Sequence, residues 1–279
     1  MRVIKTINAM QSQIKKLKQQ NKTIGFVPTM GALHAGHASL IQKCRRECDI
    51  VVLSIFINPT QFGKGEDFNK YPREEKKDKL FSKKLNVDII FYPTEKMMYP
   101  SGFLTTINVT EMDRNLCGKF RPEHFRGVTT VVGKLLNIVA ADFLYLGQKD
   151  AQQALIIKRM IEDLNFDITL KICPTVREAD GLALSSRNVY LKLAERRQAP
   201  LLYLTLKQAR AKIKNGEKKA TTITRWITNQ IKTQTSGNVE YVECVKATDL
   251  TVQKLINGKT LIAIAVKFGK TRLIDNIII

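Results

Sequence analysis

Between residues 23 and 173, short apolar runs rich in β-branched residues alternate with segments of helical period. Strands are predicted at 23–27, 50–57, 87–92, 142–146 and 168–172, with helices at 37–47, 74–85, 127–139 and 150–164. This order is typical of a parallel sheet flanked by helices, because right-handed crossovers join parallel neighbours. The sequence therefore predicts an α/β fold whose ligands bind at the carboxyl edge of an open parallel sheet.

The pattern changes after residue 176. A loop at 180–188, a long helix at 195–214 and a polar segment at 215–221 precede three predicted strands at 239–247, 259–268 and 272–277. The chain has 279 residues, about two domains' worth. We therefore expect one domain over residues 1–176 and a smaller α+β domain over 177–279.

The first 23 residues are basic and lack acids, as some transit peptides do. They are better interpreted as an amphipathic helix, because apolar residues recur on one side. These residues are Ile4, Ile7, Met10, Ile14 and Leu17.

The charge balance favours an anionic partner, with 46 Lys+Arg against 25 Asp+Glu, a net charge of +21 and a pI near 9.8. The basic residues are spread along the chain, so solvated helix faces explain most of them. No run approaches the roughly 18 apolar residues of a membrane span, so we expect no membrane partner. The five cysteines show no zinc spacing, and a secretory signal is not recognisable; both features favour reduced thiols and a cytoplasmic location.

The most informative segment is the turn that runs from the first predicted strand into its helix. It contains His34 and His37, three residues apart, with Gly31 and Gly36 nearby. Histidines at a helix entry can donate to phosphate oxygens, and the helix N-terminus favours negative charge. Taken alone, the two histidines could also be structural or metal ligands.

Two neutral amides, Asn58 and Gln61, follow the second predicted strand. They offer donors and acceptors to a hydroxy acid without repelling its carboxylate. The alternative is a turn that satisfies its own backbone. Farther along the same loop, Glu66 and Asp67 could approach a metal ion, but we predict that they face water.

A third cluster, Gly147 to Gln153, follows another strand and opens a helix. Lys149 can reach polyphosphate oxygens, Asp150 can cap the helix or accept from ribose hydroxyls, and Gln153 lies one turn farther on the same face. The pattern is not a Walker loop, and a plain capped helix is the alternative.

The fourth cluster lies near the expected domain boundary. Ser185 and Ser186 add short-range donors to the permanent charge of Arg187, which makes an anion clamp. Across the four clusters we find no serine or cysteine triad, so catalysis is expected to be electrostatic rather than covalent.

Taken in order, five segments resemble the pantothenate synthetase family of the HIGH-motif nucleotidyltransferases. The segments are PTMGALHAGH, FINPTQF with EDFNKYPR, FRGVTTVVGKLLNIV, LGQKDAQQ and VREADGLALSSRNVYL. The resemblance implies a Rossmann-like N-terminal domain that binds ATP and pantoate, a small C-terminal domain as a lid, and a homodimer. It also implies ATP-dependent joining of (R)-pantoate to β-alanine through pantoyl adenylate, with pantothenate, AMP and pyrophosphate as products.

Carried over by position, the resemblance assigns His37 as proton donor and His34, Lys149 and Arg187 as further catalytic groups. The implied ATP site comprises Met30, Gly31, Ala32, Leu33, His34, Ala35, Gly36, His37, Gly147, Gln148, Lys149, Asp150, Val176, Leu184, Ser185, Ser186 and Arg187. Gln61, Gln153 and Asn58 are expected to bind pantoate, and Gln61 also β-alanine. Mg²⁺ is expected with the nucleotide, without an assigned protein ligand.

This chain departs from the family pattern at Gln148, where many members have Glu. Two other functions stay open as alternatives. A related HxGH nucleotidyltransferase or aminoacyl-tRNA synthetase fragment would apply the same chemistry to another acid, although the amide cluster argues against it. A basic nucleic-acid-binding protein would explain the charge but none of the four clusters, so no nucleic-acid partner is expected.

Overall fold

The computed structural model describes residues 1–63 and 65–279, with the side chain of Asp67 outside the described part. The water-facing prediction for Asp67 therefore concerns a side chain outside the described residues.

The central element is a six-stranded sheet in which every neighbouring pair is parallel. Its strands are β1 (Arg2–Ile4), β2 (Ile24–Thr29), β3 (Ile50–Ile55), β4 (Ile89–Phe91), β5 (Phe143–Gly147) and β6 (Thr169–Cys173). They lie in the order β1-β4-β3-β2-β5-β6. The predicted parallel α/β sheet is confirmed, with β2 and β3 as the neighbouring strands of the first predicted strand–helix–strand unit. Strand β1 was not predicted.

The predicted helices follow the strands, and two short helices that were not predicted lie among them. The helices are α1 (Ile7–Gln19), α2 (Ala35–Glu47), α3 (Glu75–Lys84), α4 (Glu95–Met98), α5 (Cys117–Phe120), α6 (His124–Val139) and α7 (Ala151–Asp163). The two that were not predicted are α4 and α5. Most residues of α6 are buried, which makes it the central helix against one face of the sheet. Among the described residues, no helix is long and apolar enough to cross a membrane.

The N-terminal prediction is partly wrong. Ile4 is not on the helix: it lies on β1, which pairs with β4 and buries the Ile4 side chain. The helix begins after Thr6, whose Oγ1 accepts a hydrogen bond from the N–H of Ala9. Met10 and Ile14 are buried on α1 as predicted.

The C-terminal part contains a three-stranded antiparallel sheet with helices on one face. Its strands are β7 (Asn238–Lys246), β8 (Thr260–Phe268) and β9 (Thr271–Ile278), in that order. The predicted helix at 195–214 is instead two helices, α8 (Leu193–Gln198) and α9 (Leu201–Lys214). They are separated at Pro200, because proline lacks an N–H and cannot continue a helix. The last helix, α10 (Ala220–Gln234), was not predicted.

All five cysteines lie in the described part of the chain and are free and buried, as predicted. Cys44 and Cys48 pack against Gly25 of β2, where a Cβ would overlap both sulfur atoms. Their place in the core explains the pair of thiols on α2 without a metal site.

Candidate active site

The four predicted clusters meet at the carboxyl edge of the parallel sheet. They line a cavity of about 260 Å³, which adjoins a wider cleft of about 1150 Å³ beside the C-terminal sheet. The predicted residues that line the smaller cavity are Met30, His34, Gly36, His37, Asn58, Gln61, Gly147, Lys149, Asp150, Gln153, Val176, Leu184, Ser185, Ser186 and Arg187. Five predicted residues do not line it: Gly31, Ala32, Leu33, Ala35 and Gln148.

Both motif histidines are fixed by backbone hydrogen bonds at the start of α2. His34 Nδ1 accepts from the N–H of Gly36 at 3.1 Å, and His37 Nδ1 accepts from the N–H of His34 at 3.2 Å. A ring nitrogen that accepts carries no hydrogen, so each neutral imidazole carries its hydrogen on Nε2. The motif therefore presents two Nε2–H donors, with ring centres 4.2 Å apart.

The histidines are uncharged in the free protein. Burial, together with the neighbouring His34 ring and the charge of Lys149, lowers the pKa of His37 to about 3. Burial and Lys149 also lower the pKa of His34. Near neutral pH both rings are thus hydrogen-bond donors rather than acids until a ligand changes their surroundings.

A third histidine, His124 at the start of α6, holds the backbone of the amide cluster. Its Nδ1 lies 2.8 Å from the carbonyl oxygen of Gln61, which can only accept, so this ring carries its hydrogen on Nδ1. Arg121 Nη1 lies 3.2 Å from the other ring nitrogen. Burial and the charge of Arg121 lower the pKa of His124 to about 4.

These depressed values predict a loss of stability in mild acid. In the unfolded chain His37 and His124 bind protons as pH falls through the ordinary value of 6.5, whereas in the fold they stay neutral down to about 3 and about 4 respectively. The free energy of unfolding should therefore fall below pH 6.5, because near pH 5 these two histidines together bind about two more protons in the unfolded chain than in the fold. Urea titrations at about pH 7, 6 and 5 measure this slope.

The control variant is His124→Asn, whose side-chain amide can still donate to Gln61 O. It should reduce the slope to about one proton. A free energy of unfolding that stays constant from about pH 7 to 5 would show that these histidines are not held neutral.

The buried acid Asp78, which the sequence does not mark as part of the site, holds the turn that precedes His34. Asp78 on α3 accepts from the N–H groups of Ala32 at 3.0 Å and Leu33 at 2.8 Å. Its side chain is buried, and burial raises its pKa. Gly31 and Ala32 both have positive φ, 86° and 51°, which brings these N–H groups onto one carboxylate. Since Asp78 takes these donors, the N–H groups of Ala32 and Leu33 hold the turn in shape, and contact of these two residues with ATP stays a prediction.

Asn58 is saturated by protein contacts. Its Oδ1 accepts from Tyr99 Oη at 2.7 Å and from Thr60 Oγ1 at 3.0 Å, while its Nδ2 donates to Gln61 Oε1 at 3.1 Å and Gly127 O at 3.0 Å. Asn58 is 1% exposed. In this arrangement it orients Gln61, and its direct contact with pantoate stays a prediction.

The side-chain amide of Gln61 donates a hydrogen bond to a weak acceptor. With Oε1 held by Asn58, its Nε2 donates to Met30 Sδ at 3.0 Å, and a thioether is a weak acceptor. A carboxylate or hydroxyl ligand can replace that partner. Gly127 lets α6 approach this turn, because a Cβ there would overlap Thr60 O.

Glu66 does not face water as predicted. It forms an ion pair with Arg121, in which Arg121 Nε donates to Glu66 Oε1 at 2.7 Å. Arg121 also donates to Gln61 O at 3.3 Å. The pair therefore ties the loop after Gln61 to the start of α6.

The third and fourth clusters bring cations to the same cavity. Lys149 Nζ lies 3.4 Å from Asp150 Oδ1, and Asp150 makes no side-chain cap to α7, so the capping alternative is wrong. Burial opposes ionisation of Asp150, but Lys149 and Arg187 hold its pKa below the usual range. Ser185 Oγ accepts from the N–H of Arg187 at 3.2 Å, which fixes the turn that carries the arginine.

The described residues contain no group of three or more His, Cys, Asp or Glu side chains placed to hold a metal ion. Asp150 is the single carboxylate among the described residues that line the smaller cavity. The donor set therefore does not form a protein cage for a divalent cation, and it suits one that arrives with its own phosphate and water ligands.

Comparisons with known proteins agree on one kind of relative. The sequence profile described as pantoate-β-alanine ligase matches residues 2–278. A pantothenate synthetase from Acetivibrio thermocellus is 50% identical over 279 residues, covering 100% of this chain and 99% of the relative. One from Pelotomaculum thermopropionicum is 47% identical with the same coverage.

Solved structures are similar along the whole chain. The pantothenate synthetase of Thermus thermophilus matches with a TM-score of 0.93 at 38% identity, covering 99% of each chain. The pantoate-β-alanine ligase of Francisella tularensis, complexed with β-γ ATP and β-alanine, matches with a TM-score of 0.80 at 38% identity, covering 99% of this chain and 97% of that one.

Proposed function

The chain belongs to the pantoate-β-alanine ligase family, and from this premise we propose that it joins pantoate to β-alanine with ATP through pantoyl adenylate. The observation that carries the proposal is one cavity whose lining includes both motif histidines, a lysine, an arginine and two glutamines. These are His34, His37, Lys149, Arg187, Gln61 and Gln153.

In the first step a carboxylate oxygen of pantoate attacks the α-phosphorus of ATP. The bond from that phosphorus to the bridging oxygen breaks, and pyrophosphate leaves with the electron pair. Negative charge on the phosphate oxygens is stabilised by His34, His37, Lys149 and Arg187, which the fold places before the reaction begins. Because the rings start neutral, they bind phosphate as donors, and bound phosphate would raise the pKa of His37 toward that of a proton donor.

In the second step the amine of β-alanine attacks the acyl carbon of pantoyl adenylate. A C–N bond forms, the acyl C–O bond breaks with its electron pair going to AMP, and the proton that the amine loses passes to water. Gln61 would hold pantoate and border the β-alanine site, since Asn58 and His124 fix its side chain and backbone. Holding the acyl group and the amine together accounts for much of the rate.

The segment Leu184 to Arg187 would act in the C-terminal lid. Ser185 and Arg187 line both the smaller cavity and the wider cleft, so this segment lies between the proposed phosphate site and the C-terminal part. Mg²⁺ would enter with the nucleotide and offset phosphate charge. A homodimer, expected from the family resemblance, and a cytoplasmic location, which suits five free thiols, complete the proposal.

The test is pyrophosphate release from ATP with pantoate alone, followed by AMP and pantothenate formation when β-alanine is added. We expect both. If pantoate gives no pyrophosphate while another carboxylic acid does, the chain is a related nucleotidyltransferase acting on that acid.

Gln61→Ala should raise the KM for pantoate about 10- to 100-fold, because a hydrogen-bond donor to the acid is lost. Gln61→Glu keeps the size of the side chain but places a carboxylate near the pantoate carboxylate, so its KM should rise further. Steady-state kinetics with pantoate varied at saturating ATP measure both. An unchanged KM in both variants would contradict the role of Gln61.

A further inference from the structure

We propose that Asn276, on strand β9 of the C-terminal sheet, is a positioning residue that sets the direction of the Lys149 side chain through its backbone. This proposal rests on the phosphate-binding role proposed above for Lys149. It gives the C-terminal part a second task beside covering the site.

The side chain of Asn276 forms hydrogen bonds with one short turn of the parallel-sheet part. Its Nδ2 donates to the carbonyl oxygen of Gln148 at 2.9 Å and to that of Lys149 at 3.0 Å. Gln148 Nε2 lies 3.4 Å from Asn276 Oδ1 and donates to it. Asn276 is 4% exposed, so these hydrogen bonds are sheltered from water.

The two carbonyl groups belong to the peptide units on either side of the Lys149 Cα. When both peptide planes are held, the direction in which the Lys149 side chain leaves the backbone is held as well. The turn Gln148–Asp150 has no side-chain cap of its own at either end. Asn276 therefore supplies a restraint that the turn itself lacks.

Asn276 is in turn held by the ion pair next to it. Its N–H donates to Asp275 Oδ1 at 2.8 Å. Asp275, 3% exposed, accepts from Arg177 at 2.6 and 2.8 Å, and the guanidinium of Arg177 lies 3.4 Å above the Tyr203 ring. This rigid base makes β9 a suitable support for a catalytic lysine.

An amide is needed on β9, because a carboxylate cannot donate to carbonyl oxygens. Gln148 contributes a donor of the same kind toward Asn276, which a glutamate at that position could not supply. The side chains of Asn276 and Gln148 thus form three hydrogen bonds at this turn, and we call these contacts the clamp of Asn276.

The test uses Asn276→Asp, which keeps the shape and removes both donors. We expect the Kd for ATP to rise about tenfold and the rate of pyrophosphate release with pantoate to fall about tenfold or more. The matched control is Gln253→Glu. This buried amide of the C-terminal part donates to Asn257 O at 2.9 Å and does not contact the turn. It should lose stability without a change in the Kd for ATP.

A double-mutant cycle separates positioning from a general structural effect. In a Lys149→Ala background, Asn276→Asp should change the Kd for ATP less than twofold, since its effect passes through the lysine. An equal change in both backgrounds, or an unchanged Kd in the single variant, would overturn the proposal. Asn276→Ala, which adds no charge, serves if the aspartate variant does not fold. If the unaltered protein binds ATP but pantoate releases no pyrophosphate, the proposed function fails, while the Kd comparison still decides the clamp.

Discussion

Replacing His37 with asparagine should slow pyrophosphate release from ATP and pantoate by about 10²- to 10³-fold, the range for losing one placed donor to a transition-state oxygen. The asparagine Oδ1 lies where Nδ1 of the ring is, so it can still accept from the N–H of His34 and keep the start of α2. Only the Nε2–H is lost. Initial rates at saturating ATP and pantoate measure the effect.

The companion variant is His37→Gln, whose amide reaches the position of Nε2 but not that of Nδ1. It should recover part of the rate and lose part of the helix cap, about 1 kcal/mol in the free energy of unfolding. If the asparagine variant turns over as fast as the unaltered protein, His37 does not stabilise the reacting phosphate.

Replacing Arg177 with methionine should lower the free energy of unfolding by about 3–5 kcal/mol, the range for removing one partner of a buried ion pair. Asp275 is 3% exposed and loses both charged donors in this variant. Methionine keeps an apolar contact with Tyr203, so the loss is mainly electrostatic. Urea unfolding at neutral pH, followed by circular dichroism, measures it.

The matched control is Arg196→Met. Arg196 also binds two carboxylates, Glu178 and Asp180, but these are 33% and 40% exposed. Water compensates the loss there, so the free energy of unfolding should change by about 1 kcal/mol or less. Equal losses in the two variants would contradict the importance of burial at Asp275.

The parallel sheet was predictable because its strands are continuous apolar runs and its helices have a clear period. Two C-terminal features were not. Pro200 interrupts a period that otherwise reads as one helix, and α10 is rich in threonine, a β-branched residue of modest helix propensity. That helix forms because Ile223, Ile227 and Ile231 recur every four residues and are fully buried against the C-terminal sheet.

Some residues of the candidate site could likewise be predicted from the sequence, and others could not. His34, Gln61 and Lys149 were found because each follows a strand, and the carboxyl ends of parallel strands meet at one edge. Asp78 and Asn276 contact the histidine turn and the Lys149 turn, although both lie far from them in sequence. In the sequence, Asp78 belongs to a highly charged helix, and Asn276 belongs to an apolar strand. Neither belongs to a local motif, so only the folded chain reveals their contacts.

The buried cysteines can report where the folded protein opens locally. Burial raises the pKa of Cys44, Cys48 and Cys173, and raises that of Cys244 to about 12, so in the native state these sulfurs carry almost no reactive thiolate. An alkylating reagent can then react with these thiols only when the residues packed around them open transiently. Cys44 and Cys173 lie in the core beside the parallel sheet, while Cys244 lies in that of the C-terminal sheet. Mass spectrometry of alkylated peptides over time would therefore show which of these two cores opens faster, without an engineered cysteine.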